Sequence, residues 1–223
     1  MEFTGNQPVD ILIAISALLG TVFSFMKWVL PYLKQMQLER LNAKNVAAFD
    51  QGLRAIMTVT QLMDDLRQHL KITRVLLIEV SNGGDMPIPG SRIYATAVNA
   101  KMHNEMGETD RMAEVKALAD YNRIAVDDCY IRMLIQAQSQ GHYKFVTSKE
   151  QDCLLKDIYT TAGVHYSEIY HIYTDGIAKK MFILSVATSL PDEDFSKAPL
   201  RAMINTAINS IRSHFEEFRL QVR

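Results

Sequence analysis

An uncharged apolar run lies near the N-terminus of the chain, from Ile11 to Met26. Lys27 follows this run, and apolar residues then resume as far as Leu33. A helix that crosses a bilayer needs about 20 apolar residues. Residues 9–33 meet this length if Lys27 extends its ammonium group toward the lipid headgroups. The pattern predicts a single transmembrane helix at residues 9–33, preceded by a short tail at residues 1–8.

Basic residues near this segment predict its orientation. Lys27, Lys34, Arg40 and Lys44 lie at its C-terminal end, whereas residues 1–10 contain no Lys or Arg. Cytoplasmic flanks collect basic residues, so we expect the N-terminus outside and the C-terminal domain in the cytoplasm. One alternative is a cleaved signal peptide, which normally carries positive charge ahead of its apolar core. Another is a helix buried in a soluble domain, although no polar face recurs within the run.

The sequence of residues 34–71 predicts a long connecting helix, which contains one glycine, Gly52. Apolar residues in its second half recur at alternating spacings of four and three, which is the coiled-coil period. Thr60 and Arg67 interrupt this seam, and an amphipathic helix packed on a sheet gives a similar pattern. We expect the helix to do both, pairing with a second helix and packing on the sheet. The seam consists of Phe49, Leu53, Ile56, Thr60, Met63, Arg67 and Leu70.

After residue 72 the hydrophobic period shortens toward two, which is typical of strands. Glycine and asparagine follow the first strand and favour a turn there. Asp175-Gly176 separates the last two strands and is a strong hairpin signal. The continuous apolar centre of the final strand indicates burial on both faces. The predicted strands, which we expect to pair in antiparallel fashion, are residues 73–80, 91–99, 142–146, 167–174 and 180–189.

Four helices are predicted between and after these strands. Thr109-Asp110 precedes the first, and Asp127 or Asp128 precedes the second, as helix-capping residues do. Gly141 follows the second helix, where a residue with positive φ is favoured. Ser148 and Gln151 fit a capping box for a third helix over residues 149–161. A helical stripe of apolar residues then runs from Pro199 to the C-terminus.

The amino-acid composition excludes some classes of function but indicates no particular reaction. The 223 residues include 24 basic and 25 acidic side chains, and the formal net charge is −1. This balance provides no basic footprint for nucleic acid, and an apolar content of 48% argues against disorder. The two cysteines, Cys129 and Cys153, form no CxxC pair. We expect both to be reduced, buried thiols.

The order of these elements resembles that of GAF domains, a sensor fold related to PAS. The resemblance covers residues 45–223 and rests on the strand at 74–80, the hairpin at Asp175-Gly176 and the first and last helices. It implies an α+β fold, an antiparallel sheet flanked by helices, at residues 72–223. The motifs of cyclic-nucleotide-binding GAF domains are missing. Neither Cys129 nor Cys153 is followed by the histidine typical of bilin carriers.

The resemblance also implies two candidate surfaces. GAF domains place their first and last helices together on one face of the sheet, where they often form a dimer interface. Their small-molecule pocket lies on the other face, under the middle helices. The dimer residues implied here are Phe49, Leu53, Ile56, Met63, Ile204, Ile211 and Phe218. The pocket residues implied here are Ser81, Asn82, Tyr94, Tyr130, His142, Phe145 and Cys153.

These features together predict a non-enzymatic, membrane-anchored sensor or adaptor. The domain is expected to bind a protein partner or a small ligand and to dimerise through its terminal helices, and no cofactor follows from the sequence. One alternative is a thiol- or metal-dependent enzyme that uses Cys129, Cys153 or His142. His165 and His171 lie on one face of a strand but lack a third metal ligand nearby in sequence. A structural membrane-scaffold protein is the third hypothesis.

Overall fold

The computed structural model describes residues 12, 15, 16, 18, 19, 23, 25–82, 92–104, 107–191 and 193–222, except for the side chains of residues 28, 29 and 218–222. The chain divides into two compact units, Met1–Gly52 and Leu53–Arg223. The predicted tail at residues 1–8 and ten residues of the predicted transmembrane segment at residues 9–33 lie outside the described residues. No described helix combines the length and the apolar character needed to cross a membrane.

A long helix occupies most of the predicted connecting segment. A π-helical turn, Phe25–Val29, leads into helix α1, Leu30–Arg67. The helix ends before residue 71 because the N–H groups of His69 and Ile72 donate to carbonyls three residues earlier, which turns the chain toward the first strand. The predicted helix over residues 34–71 is therefore confirmed, with its C-terminal end four residues earlier.

The second unit is built on a six-stranded sheet in which all neighbours are antiparallel, as predicted. The strand order is β3-β2-β1-β6-β5-β4, so that β1 and β6 are central. The apolar run in β6 is explained by this position, because a central strand is covered on both faces. The strands are β1 Arg74–Ser81, β2 Tyr94–Met102, β3 Ile124–Ala125, β4 His142–Val146, β5 Tyr166–Asp175 and β6 Lys180–Thr188.

The remaining helices are α2 Arg111–Asp120, α3 Asp128–Gln140, α4 Leu154–Thr161 and α5 Ala198–Val222. Asp110 caps α2 and Asp127 caps α3, and each carboxylate accepts a backbone N–H at the first turn. Gly141 ends α3 with φ of 81°, which a residue without a Cβ adopts at little cost. These three predictions are confirmed.

The predicted capping box at Ser148 and Gln151 is wrong, because α4 begins only at Leu154. Thr147 accounts for the delay. Its backbone N–H donates to the carbonyl of His165 at 3.1 Å, and its hydroxyl donates to the carbonyl of Val164 at 2.6 Å. These long-range bonds hold the chain in a turn where local sequence favours a helix.

The two faces of the sheet carry separate apolar cores. Residues 76, 78 and 80 of β1 contribute to the core under α2, α3 and α4, which we call the middle-helix core. Residues 75 and 77 contribute to the core under α1 and α5, which we call the terminal-helix core. The predicted packing of the first and last helices on one face is thus confirmed.

The residues predicted for the dimer interface fall into two groups. Met63, Ile204 and Ile211 have exposed fractions of 0% and belong to the terminal-helix core. Their assignment to a dimer surface needs correction, because the chain itself already covers them. Phe49, Leu53 and Ile56, in contrast, have exposed fractions of 70%, 46% and 62%. The side chain of residue 218 lies outside the description.

Candidate functional site

Arg74 is a charged residue at the start of an otherwise apolar strand. It is in phase with Leu76, Ile78 and Val80, because alternate residues of a strand share a face. It therefore points toward the middle-helix core, where its exposed fraction is 3%. Burying a guanidinium is costly unless its charge and its N–H donors are compensated.

Two tyrosines supply part of this compensation. The guanidinium carbon of Arg74 lies 5.6 Å from the ring centre of Tyr121 and 5.0 Å from that of Tyr159. Such cation–π contacts contribute roughly 0.5–2 kcal/mol each. Nη2 of Arg74 also donates to the hydroxyl of Tyr121, at a long distance of 3.4 Å. Burial raises the pKa of Tyr121, so this hydroxyl stays neutral and carries no charge to balance the arginine.

The compensation of Arg74 is incomplete. Nε is buried and has no hydrogen-bond partner, and no carboxylate of the described residues forms an ion pair with this side chain. The hydroxyl of Tyr159 is engaged elsewhere, with Ser185 at 2.9 Å and Ser167 at 3.3 Å. A guanidinium has five N–H donors, and most of those of Arg74 remain unused within the described part of the chain.

A half-open groove gives solvent access to this arginine. The groove has a volume of about 490 Å³ and lies beside α2 and α4. The outer residues of the groove include both positively and negatively charged side chains. Lys116 pairs with Asp120 across one turn of α2, and Asp157 lies exposed on α4. The C-terminal ends of α2 and α4 add partial negative charge. The lining residues are Arg74, Met102, Ala113, Lys116, Ala117, Asp120, Tyr121, Asp157, Ile158, Thr161 and Ala162.

A second groove, of about 520 Å³, lies on the opposite face of the sheet. Its lining includes His142, Tyr170 and Arg201. Arg201 makes a two-pronged ion pair with Glu168, whose side chain is fully buried. Burial favours the neutral form of Glu168, but hydrogen bonds from Arg201, Tyr166 and Tyr170 outweigh it and lower the pKa of the carboxyl group. The charges of Glu168 and Arg201 already compensate each other, so these residues have a structural role.

The residues predicted for the pocket do not form one site. Tyr130 and Phe145 are buried in the middle-helix core, and Cys153 packs against its edge. Ser81 lies opposite Tyr94 at the far end of β1 from Arg74, about 24 Å away for eight strand residues.

The structure corrects the placement of His142. This histidine stacks on Tyr170, with 5.9 Å between ring centres, and lines the groove on the opposite face of the sheet. Asn82 is half-buried and follows directly after β1. None of the seven predicted pocket residues lines the groove at Arg74.

Cys129 shows little sign of nucleophilic chemistry. Burial, together with a hydrogen bond to Cys153, raises the pKa of Cys129 to about 12. The thiolate is the reactive form of cysteine, so Cys129 is almost entirely in the unreactive thiol form at neutral pH. Among the described residues, no three His, Cys, Asp or Glu side chains are grouped so that they could bind a metal ion.

Sequence reasoning missed Arg74, Tyr121 and Tyr159. The signal for Arg74 was present, because a charge in phase with three buried apolar residues of one strand has to point into the core. The tyrosines carry no such signal, since they lie in separate helical segments that only the folded chain brings together.

The antiparallel sheet, with the terminal helices on one face and the middle helices on the other, defines an α+β fold. Solved structures identify it as the GAF fold. One similar structure is the photoproduct state of GAF3 from Slr1393 of Synechocystis sp. PCC6803, with 14% sequence identity, a TM-score of 0.50 and coverage of 76% of this chain and 98% of that chain.

A second similar structure is the red light-absorbing state of NpR6012g4, a red/green cyanobacteriochrome, with 11% identity, a TM-score of 0.50 and coverage of 76% of this chain and 98% of that chain. No protein-family model and no curated protein matches the sequence. At these identities the likeness establishes the fold alone.

Proposed function

We propose that this protein is a sensor module in which a GAF-like domain binds a small ligand in the groove beside α2 and α4. The GAF fold supports a sensor or ligand-binding domain. The observation that carries the proposal is the groove itself, which brings solvent to a buried, incompletely compensated arginine. Buried charged groups that lack full compensation are common in ligand-binding sites.

A ligand that binds only the folded protein raises its melting temperature. We therefore suggest a thermal-shift screen of the full chain in detergent against small metabolites, repeated on two tryptophan variants. Ala113 lines the groove, so Ala113→Trp fills it. Ala119 lies on the same helix but is exposed and outside the groove, so Ala119→Trp is the matched control.

A compound that stabilises the wild type and Ala119→Trp, but not Ala113→Trp, supports the groove as the binding site. If every stabilising compound acts equally on Ala113→Trp, the groove is not the site. Circular dichroism of both variants checks that the tryptophans leave the fold intact.

The membrane anchor is part of the same proposal. The length of residues 9–33 supports an anchor if Lys27 extends its ammonium group toward the headgroups, and the basic residues at the C-terminal end of this segment favour a cytoplasmic domain. Alkaline extraction of membranes that contain the full chain tests this. Release of the protein into the supernatant would contradict the anchor, and a protease-protection assay then reports which side carries the domain.

We also propose that the module dimerises through the exposed apolar side chains of α1. Phe49, Leu53 and Ile56 are exposed, as are Leu38 and Leu41 earlier in the helix. Apolar side chains recurring on one side of a helix favour association with a second helix.

A further inference from the structure

We propose that Arg74 recognises a carboxylate group and that the ligand of the groove is a small monocarboxylate, zwitterionic amino acids included. This inference deepens the proposed sensor function and rests on it. Four features support it: the missing counter-charge of Arg74, its unused donors, its position on the groove, and the signs of the charges around the rim.

The first feature is the missing counter-charge. Two other arginines that contact this sheet, Arg201 and Arg212, are better compensated. Arg201 has the carboxylate of Glu168, and Arg212 donates to the backbone carbonyls of His171 and Gly141 at 2.7–3.1 Å. Arg74 has two aromatic rings and one long hydrogen bond to a neutral hydroxyl.

The second feature is the geometry of the unused donors. A guanidinium presents its N–H groups in a planar fork that matches a carboxylate, and two parallel hydrogen bonds give both strength and orientation. The rings of Tyr121 and Tyr159 hold the guanidinium of Arg74 in place before any ligand arrives. Such preorganisation lowers the entropic cost of binding.

The third feature is the set of side chains around the guanidinium of Arg74. Arg74 lines the groove together with apolar side chains that include Met102, Ala117 and Ile158. Apolar walls lower the local dielectric constant and so strengthen the attraction between opposite charges. A ligand with a short aliphatic part next to its carboxylate therefore fits the groove better than a fully hydrated inorganic ion.

The fourth feature is the rim, which disfavours multiple negative charges. Asp157 and Asp120 lie on it, with Lys116 already paired to Asp120. The negative ends of α2 and α4 also meet here. One guanidinium balances one anionic charge, so a phosphate dianion or a tricarboxylate would keep unbalanced charge beside these groups. An ammonium group on the ligand would instead be attracted by the negative charges of the rim.

The inference can be tested by thermal shift of the full chain in detergent, at constant ionic strength and pH 7. The probes are acetate, propionate, glycine and β-alanine as monocarboxylates, inorganic phosphate and citrate as polyanions, and propionamide as the uncharged match of propionate. We expect at least one monocarboxylate to raise the melting temperature, with smaller or no shifts from the polyanions and from propionamide.

Two variants connect this effect to Arg74. Arg74→Met keeps the length and apolar packing of the side chain and removes the charge, so it should abolish the shift caused by monocarboxylates. Because the variant also removes a poorly compensated buried charge, its own melting temperature without ligand should equal or exceed that of the wild type. A purely structural arginine would give a lower melting temperature instead. Arg212→Met, on the opposite face, should keep the carboxylate response.

The outcomes separate this inference from the proposed function. Groove-dependent stabilisation by uncharged compounds, or equal carboxylate responses in wild type and Arg74→Met, overturns carboxylate recognition and leaves the sensor function standing. A larger shift with phosphate than with every monocarboxylate also overturns it. A carboxylate shift that disappears in Arg74→Met but persists in Ala113→Trp supports the arginine and contradicts the groove as the ligand's location.

Discussion

The buried ion pair between Glu168 of β5 and Arg201 of α5 provides a quantitative test of how the last helix is held on the sheet. The substitution Arg201→Met removes the guanidinium and leaves the carboxylate of Glu168, whose side chain is 0% exposed, without its counter-charge. Breaking a buried pair in this way typically costs about 3–5 kcal/mol. Because 24% of the Arg201 side chain is exposed, we expect about 3 kcal/mol, the lower end of that range.

The assay is urea unfolding followed by circular dichroism, with the free energy of unfolding extrapolated to zero denaturant. The control is the double variant Glu168→Leu/Arg201→Met, which removes both charges. Replacing a whole buried pair by apolar residues is often close to neutral, so the double variant should be more stable than Arg201→Met alone. A loss below about 1 kcal/mol in the single variant, or a double variant as unstable as the sum of both single variants, would refute this account.

The same pair predicts a pH dependence. The pKa of Glu168 is lowered in the folded state from its ordinary value of 4.5. Its contribution to stability is thus complete above that ordinary value and is lost as the pH falls toward the lower folded pKa. In Arg201→Met, burial is no longer opposed by the guanidinium, so the carboxyl group becomes easier to protonate. The stability difference between wild type and variant should therefore shrink as the pH is lowered through 4.5.

Three further predictions concern single side chains. Asp127→Ala should lower the free energy of unfolding in urea by about 1–2 kcal/mol, since the carboxylate caps α3 and also accepts the N–H of Leu154 at 2.8 Å. The neighbouring Asp128 is exposed, so Asp128→Ala should change the stability little. Equal losses in the two variants would contradict the capping role. Leu76→Ala should cost about 2–5 kcal/mol, because Leu76 is 0% exposed in the middle-helix core, and a variant with wild-type stability would contradict this placement. Phe49→Asp should shift a dimer to a monomer in sedimentation if α1 is the interface, whereas an unchanged sedimentation coefficient would exclude Phe49 from it.

Local patterns in the sequence were sufficient to predict most of the fold. The strand at Arg74–Ser81 and the hairpin strands joined at Asp175-Gly176 follow from apolar runs, alternation and turn residues, which act over a few positions. The start of α4 could not be predicted in this way. The bonds from Thr147 to Val164 and His165 that delay it connect residues 17 and 18 positions apart.

The candidate site was harder to predict, and for a different reason. Pocket residues were assigned by the order of elements, which places a strand in the sheet but does not determine which of its side chains faces which side. His142 and Phe145 are three positions apart in one strand, and an odd separation puts them on opposite faces. Arg74 shows the converse case, because its phase relative to Leu76 fixes its direction from the sequence alone.

The carboxylate of Asp127 joins two helices at one point. One oxygen accepts the N–H of Tyr130 in the first turn of α3, and the other accepts the N–H of Leu154 at the beginning of α4. The opposite end of α4 carries Ile158 and Thr161 into the groove at Arg74. This eight-residue helix therefore connects the groove with the cap of α3. The carboxylate that caps α3 is thereby bonded to the same helix whose other end lines the groove.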